Sequence, residues 1–430
     1  MPQTPPEAVS SSSGSSFRNI LKTIGPGILV ACAAIGGSHL VWSTRAGADY
    51  GWSLVGLILL ANLLKLPFFL YGQTYTAATG ESLLAGYLRQ GRIYVWVFLA
   101  INILTGIINI AGVAMISGAL MSGYGISGVS VSNLTLFVLV ICALLIVLGH
   151  YRVLDGVSKV VIIVLTFSTI IAVSLAFKKP VETIPGFVPS SPYTWASFAF
   201  LISLLGWMPA PVDLSAWPSP WIFSREKQTG HKASLLETKI DFFLGYGMAV
   251  LLAVLFLSLG ALVMHGTGEH FSDSGLAFSK QLVNLYAGHI GEWSRPIILT
   301  AAFVTMFSTT LTCVDGYPRS LAACCSLLGN LSEKRFHSIH RIWILLSVII
   351  SALIVQFLIK NLIQLLTFAA VVSFVTSPIL AWINFKVMRS DFVPVEHRPG
   401  KWLSFISWAG LTFFVLMTLG YIYSFFQASV

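Results

Sequence analysis

Gly36-Gly37-Ser38-His39 and Leu204-Leu205-Gly206-Trp207-Met208-Pro209-Ala210-Pro211-Val212-Asp213 are two polar, Gly- and Pro-rich interruptions inside otherwise apolar stretches. Working outward from each, the chain is apolar for a turn or two on the inner flank and again beyond the break, long enough in total to cross a bilayer. Lipid offers no hydrogen bonds to the backbone groups that such breaks release, so they survive in a spanning helix only where they line a protein-enclosed cavity. Counted along the chain, the interrupted segments are spans 1 and 6, five apart. Breaks at matching places in two five-helix halves point to a binding site at the membrane midplane of an inverted-repeat transporter.

The composition agrees. Of 430 residues, 56% are hydrophobic and 10% charged, against about 45–50% apolar and 25% charged in a soluble domain. That excludes a soluble enzyme, a disordered chain and a disulfide scaffold. Apolar stretches of about 20 residues predict eleven spans, at about 23–47, 52–78, 93–121, 132–149, 157–177, 194–221, 239–264, 295–327, 341–359, 362–386 and 402–426. The expected fold is all-α, a 5+5 inverted repeat with one extra helix. Repeat one covers about 17–180, repeat two about 190–390, the extra helix about 402–426, and a disordered tail occupies 1–16.

The formal charge of +9 is not a nucleic-acid signature, because the basic residues sit in loops on one side. With the N-terminus inside, 18 of the 25 Lys and Arg fall on the cytoplasmic face, so the positive-inside rule gives N-terminus in, C-terminus out, in a cytoplasmic membrane. The five cysteines lie in apolar stretches without metal-ligand spacing and read as small core residues. No HExxH or GxSxG motif occurs, so no enzyme and no cofactor are expected.

The stretch Gly25-Pro26-Gly27, then Ala46 to Leu54, Leu60-Ala61-Asn62-Leu63-Leu64 and Ala78-Thr79-Gly80 resembles the start of natural-resistance-associated macrophage proteins (NRAMPs). Met208-Pro209 and Ser308-Thr309-Thr310 resemble that family's helices 6 and 8. The resemblance implies a leucine-transporter-type fold and ion-coupled alternating access. Three departures stand out. Family metal transporters carry Asp-Pro-Gly-Asn where this chain has Gly36-Gly37-Ser38-His39; their Met-Pro-His becomes Met208-Pro209-Ala210; and their helix 3 carboxylates are absent between Val95 and Met121, where Asn109 is the most polar candidate.

Without the carboxylate, the helix 1 break offers free N–H groups and a half-helix dipole, which suit an anion, with His39 as an added donor. Gly36, Gly37, Ser38, His39, Trp207, Met208, Pro209 and Ala210 are therefore the candidate substrate contacts, and the first expectation is a small anion such as bicarbonate. The alternative is NRAMP-like divalent metal uptake through His39, Met208 and Asp213, with Asp213 otherwise capping or pairing. A third possibility is a sensor or scaffold that does not transport. Ser308, Thr309 and Thr312, facing carbonyls near Ala33 and Ile35, are candidate ligands of a coupling sodium, a proton being the other coupling ion considered. Lys65 and Asp315 are intramembrane ionisable groups, expensive unless paired or functional; a salt bridge is expected for Lys65. A monomer suffices for all of this.

Overall fold

A computed structural model describes residues 17–126, 128–148, 151–178, 183–358 and 361–427; the polar tail at 1–16 lies outside the described residues. Among these, the regular elements are helices. In chain order they are α1 (Phe17–Thr23), α2 (Pro26–Ala34), α3 (Thr44–Tyr50), α4 (Val55–Thr79), α5 (Leu83–Gln90), α6 (Arg92–Ser122), α7 (Val131–Val147), α8 (Tyr151–Lys178), α9 (Phe198–Trp207) and α10 (Pro218–Thr229). They continue with α11 (Leu235–Val263), α12 (Gly275–Ile290), α13 (Arg295–Gly329), α14 (Glu333–Leu353), α15 (Leu362–Met388) and α16 (Lys401–Gln427).

Eight helices among the described residues are long and apolar enough to cross a bilayer, nine if the bent pair in the first span counts as one. That falls short of the eleven expected. α7 has 17 residues, about 26 Å at 1.5 Å per residue, below the roughly 30 Å of a hydrocarbon core. In α8 the stretch Ile163–Lys178 is a shorter apolar helix. The outer helices show their apolar side chains to the surroundings: Trp402, Phe405, Leu416, Leu419 and Phe426 of α16 are all exposed, as a lipid-facing helix requires. The chain is a multi-pass membrane protein.

At the first break, Pro26 opens α2 at a position where its missing N–H costs nothing. The Asp241 carboxylate of α11 caps that end, accepting from Gly25 N (3.0 Å) and Gly27 N (2.6 Å). α2 stops at Ala34; a wide π turn, Ser38–Ser43, restarts the helix, α3 completes it, and the two halves are bent by 47°. α11 lies along this pair because glycines permit backbone contact. A Cβ on Gly27 would run into the Asp241 carbonyl, and one on Gly245 into the Gly27 carbonyl, the close small-residue packing on which membrane helices rely.

The second break follows α9. Residues 208–211 are non-helical, a single 3-10 turn spans Val212–Ala216, and α10 begins at Pro218. Gly206 brings α9 onto the backbone of α15 at Ala370, and Gly72 brings α4 onto the 3-10 turn at Ser215. α6 packs on both α13 and α15, α13 packs against α2, and α15 against α9 and the 3-10 turn, which places both interruptions within the helix cluster.

Two elements were not expected from the sequence. α5 and α12 lie outside every anticipated span, and α12 buries Phe278, Leu282, Val283, Leu285 and Tyr286. That is the amphipathic spacing of a helix with one buried face, too short and too polar for a search tuned to spanning segments.

Candidate functional site between the helix breaks

A cavity of about 30 Å³ lies between the two breaks. Since one water needs roughly 10–15 Å³ by this measure, it has room for an ion or a few atoms. Ala33, Ala34, Gly37 and Ser38 line it from the first break, Trp207, Pro209, Ala210, Pro211 and Leu214 from the second, Asn109 and Val113 from α6, and Thr309, Cys313 and Tyr317 from α13. Of the eight substrate contacts expected from the sequence, five line this cavity: Gly37, Ser38, Trp207, Pro209 and Ala210. Ala33 and Thr309, expected at a coupling site, are on the wall too.

Gly36, His39 and Met208 are not. Gly36 faces α13, where an added Cβ would stand 2.9 Å from Thr309 Cγ2. Met208 is wholly buried away from the wall. His39 is also fully buried, with Nε2 2.8 Å from the Ala249 carbonyl and Nδ1 2.6 Å from Ser38 Oγ. A carbonyl only accepts, so Nε2 carries the proton; at Nδ1 the partner is Ser38 Oγ, whose single hydrogen is shared with the Ala34 carbonyl 2.6 Å away. Both ring nitrogens are taken up by protein atoms. His39 fastens the π turn to α11.

The glycine nest is also used differently from the expectation. Gly37 has helical φ of −58°, and an added Cβ would run into the Trp207 ring. Trp207, rather than a ligand, is what approaches the backbone closely there. Its Nε1 donates to Asn109 Oδ1 at 3.0 Å, and Asn109 Nδ2 donates to Tyr317 Oη at 2.6 Å and to Ser373 Oγ at 3.2 Å. One amide thus ties α9, α13 and α15 to α6 around the cavity.

Asp213 sits in the 3-10 turn, 2% exposed. Its Oδ2 accepts from Thr105 Oγ1 at 2.6 Å, and Oδ1 is buried without a hydrogen bond of its own, with Tyr317 alongside the carboxylate. It is the carboxylate closest in sequence to the lining, one residue before Leu214. No group of three or more His, Cys, Asp or Glu able to hold a metal occurs among the described residues; of the His39, Met208 and Asp213 set, His39 is bonded to Ser38 and Ala249, and neither His39 nor Met208 lines the cavity.

Thr309 Oγ1 lies among three carbonyls, Cys32 O at 2.9 Å, Thr305 O at 3.1 Å and Ile35 O at 3.2 Å. Thr312 instead bonds back to Ser308 O of its own helix at 2.8 Å, so the two hydroxyls do not converge. Asp315 pairs with Arg319 at 2.5 Å, with His340 Nε2 at 3.6 Å. Lys65 makes no salt bridge among the described residues: its ammonium donates to Leu205 O (2.7 Å), Gly206 O (2.9 Å) and Ala210 O (3.1 Å). The carbonyls at the second break hold this charge directly, and Asp213 acts on it without an ion-pair contact. Thr105, Cys313 and Tyr317 were missed; Thr105 shares the α6 face of Asn109 at i, i+4, and that spacing was the available signal.

Residues 27–424 match the Nramp family, described as "Natural resistance-associated macrophage protein-like". An uncharacterized protein of Pasteurella multocida is 38% identical over 411 residues, covering 94% of this chain and 93% of its own. The divalent metal cation transporter MntH of Listeria welshimeri is 23% identical, covering 94% and 90%. Among solved structures, a manganese transporter of Eremococcus coleocola superposes with a TM-score of 0.66 at 15% identity, over 97% of this chain and 88% of that one. MhsT in complex with L-phenylalanine gives 0.57 at 14% identity, over 94% and 98%. These neighbours support the leucine-transporter-like fold. With a family match over nearly its whole length, and the family's fold around its two breaks, the chain belongs to the NRAMP family of membrane transporters.

Proposed function

We propose that this chain is a secondary active transporter that carries a divalent metal cation across a cytoplasmic membrane by alternating access, with the cavity between the two breaks as the cargo site. Its sequence relatives favour this cargo over the bicarbonate first expected from the sequence, since the one named for a function is a divalent metal cation transporter. The observation that carries it is Asp213: a buried carboxylate beside the wall, with one oxygen left without a hydrogen bond. Hard divalent ions need anionic or neutral oxygen donors. Asp213, Tyr317 and Thr309 supply oxygens, and Cys313 a softer sulfur. Titration of the purified protein with manganese tests the reading: binding in the wild type that is lost in Asp213→Asn supports it, and binding that survives the substitution removes Asp213 from the site.

A second cargo, a small anion, is favoured by one specific observation. The wall itself carries no carboxylate, while the Lys65 ammonium is bonded to the carbonyl of Ala210, a wall residue. The other parts of the proposal are the 5+5 inverted repeat over about 17–180 and 190–390 with an extra helix at about 402–426, eleven spans, N-terminus inside and C-terminus outside, acting as a monomer. Coupling to sodium is assigned to the carbonyls around Thr309, and loss of sodium-stimulated uptake in Thr309→Val is its test; sodium stimulation unchanged in that variant would leave protons as the coupling ion.

A further inference from the structure

Lys65 stands in the interior of α4 with none of its surface exposed. Its three carbonyl partners belong to the end of α9 and to the non-helical segment after it: Leu205 and Gly206 close α9, and Ala210 lies in the break. The break explains why those oxygens are available. In a continuous helix the Leu205 carbonyl would accept from residue 209, but Pro209 has no N–H, and after Trp207 the chain turns out of helical geometry, so that the N–H of Ala210 no longer points back at Gly206. Three acceptors within 3.1 Å of one nitrogen require three donors. A neutral amine has two, so the arrangement matches the ammonium form. The charge nearest to it in effect is Asp213, with which it interacts electrostatically across the 3-10 turn.

Carbonyls at the end of a half-helix and in the unwound segment after it are the groups that hold monovalent cations in broken-helix transporters and in channel filters. Here that cage is filled by the end of a side chain. We propose that the Lys65 ammonium is a tethered monovalent cation: it permanently occupies a cation site formed by the Leu205, Gly206 and Ala210 carbonyls, holds the two sides of the break together, and makes this part of the molecule independent of a free cation. The inference stands apart from the identity of the cargo, because it concerns what holds the break and not what passes beside it. It also differs from the sodium assignment at Thr309, which lies on the other broken helix.

Truncation separates the tether from the charge. Lys65→Ala removes Cγ, Cδ, Cε and the nitrogen, leaving a space that n-propylammonium reproduces atom for atom. Lys65→Met fills the same space without charge. The measurement is the thermal unfolding midpoint of the purified full chain in choline chloride, followed by tryptophan fluorescence, with sodium, potassium or n-propylammonium added at constant ionic strength. The expected result is a midpoint several degrees below wild type for both variants in choline, restored saturably by n-propylammonium or by sodium in Lys65→Ala alone, with wild type and Lys65→Met unmoved. If Lys65→Ala is recovered folded only when n-propylammonium is present from solubilisation onward, the proposal is equally supported. It is overturned if Lys65→Met is as stable as wild type, if Lys65→Ala responds to cations no more than wild type does, or if no cation recovers Lys65→Ala.

Discussion

His39 stands where the family's amide stands, and at the scale of single residues it separates a chemical group from its availability. An imidazole at a helix break suggests a ligand until both nitrogens are accounted for, one toward Ser38 and one toward Ala249 O. His39→Gln keeps one donor for the Ala249 carbonyl but leaves the Ser38 hydroxyl to other partners. The expected outcome is a stability loss of about 1 kcal/mol, the ordinary net worth of one hydrogen bond, with cargo affinity unchanged; denaturation and cargo titration on the same variant check both halves, and a large affinity loss at unchanged stability would restore His39 to the site. Gly37 was legible as a position that must be glycine, but not for the right reason, because no sequence pattern says that Trp207 will be the neighbour. Nor does any pattern announce that Asn109 will bridge three helices: its partners come from residues about 100, 210 and 260 positions away.

At the scale of elements, the breaks themselves were readable because Gly36-Gly37 and Pro209 to Pro211 remove backbone hydrogen bonds whatever the tertiary context. What caps the released ends was not readable, since the caps come from other helices. Asp241 of α11 caps α2 through two N–H groups, and Lys65 of α4 caps α9 through carbonyls. Each charge faces the end of the helix whose dipole it complements, carboxylate at the N-terminus and ammonium at the C-terminus. Asp241→Ala leaves two buried N–H groups without that acceptor, so a loss of roughly 2 kcal/mol is expected from the worth of charge-assisted bonds; Asp241→Asn, which retains one accepting oxygen, should lose less. Unfolding midpoints of the two variants give the ordering, and equal midpoints would show that the carboxylate contributes nothing as a cap. The short α7 and the amphipathic α12 mark the limit of counting spans by apolar length: α7 has 17 residues and α12 has 16, and whether such helices cross or lie against the bundle is decided by packing.

For the whole molecule, the proposed cargo rests on the charges buried around the second break. Asp213 and Lys65 interact electrostatically beside the break, and neither lines the cavity, whose wall is amide, hydroxyl, thiol, aromatic ring and hydrocarbon. A divalent cation entering this space would gain from Asp213 and be opposed by Lys65, so the proposed metal transport rests on that carboxylate; a small anion would have the opposite dependence. Uptake into proteoliposomes reads this directly, with labelled manganese and labelled bicarbonate compared in wild type and in Asp213→Asn under the same imposed gradients. The proposed function predicts saturable manganese uptake by the wild type that falls at least about tenfold in Asp213→Asn, the equivalent of 1.4 kcal/mol, with bicarbonate no faster than in protein-free liposomes. Bicarbonate uptake that persists in Asp213→Asn, with no manganese uptake by either protein, would contradict it.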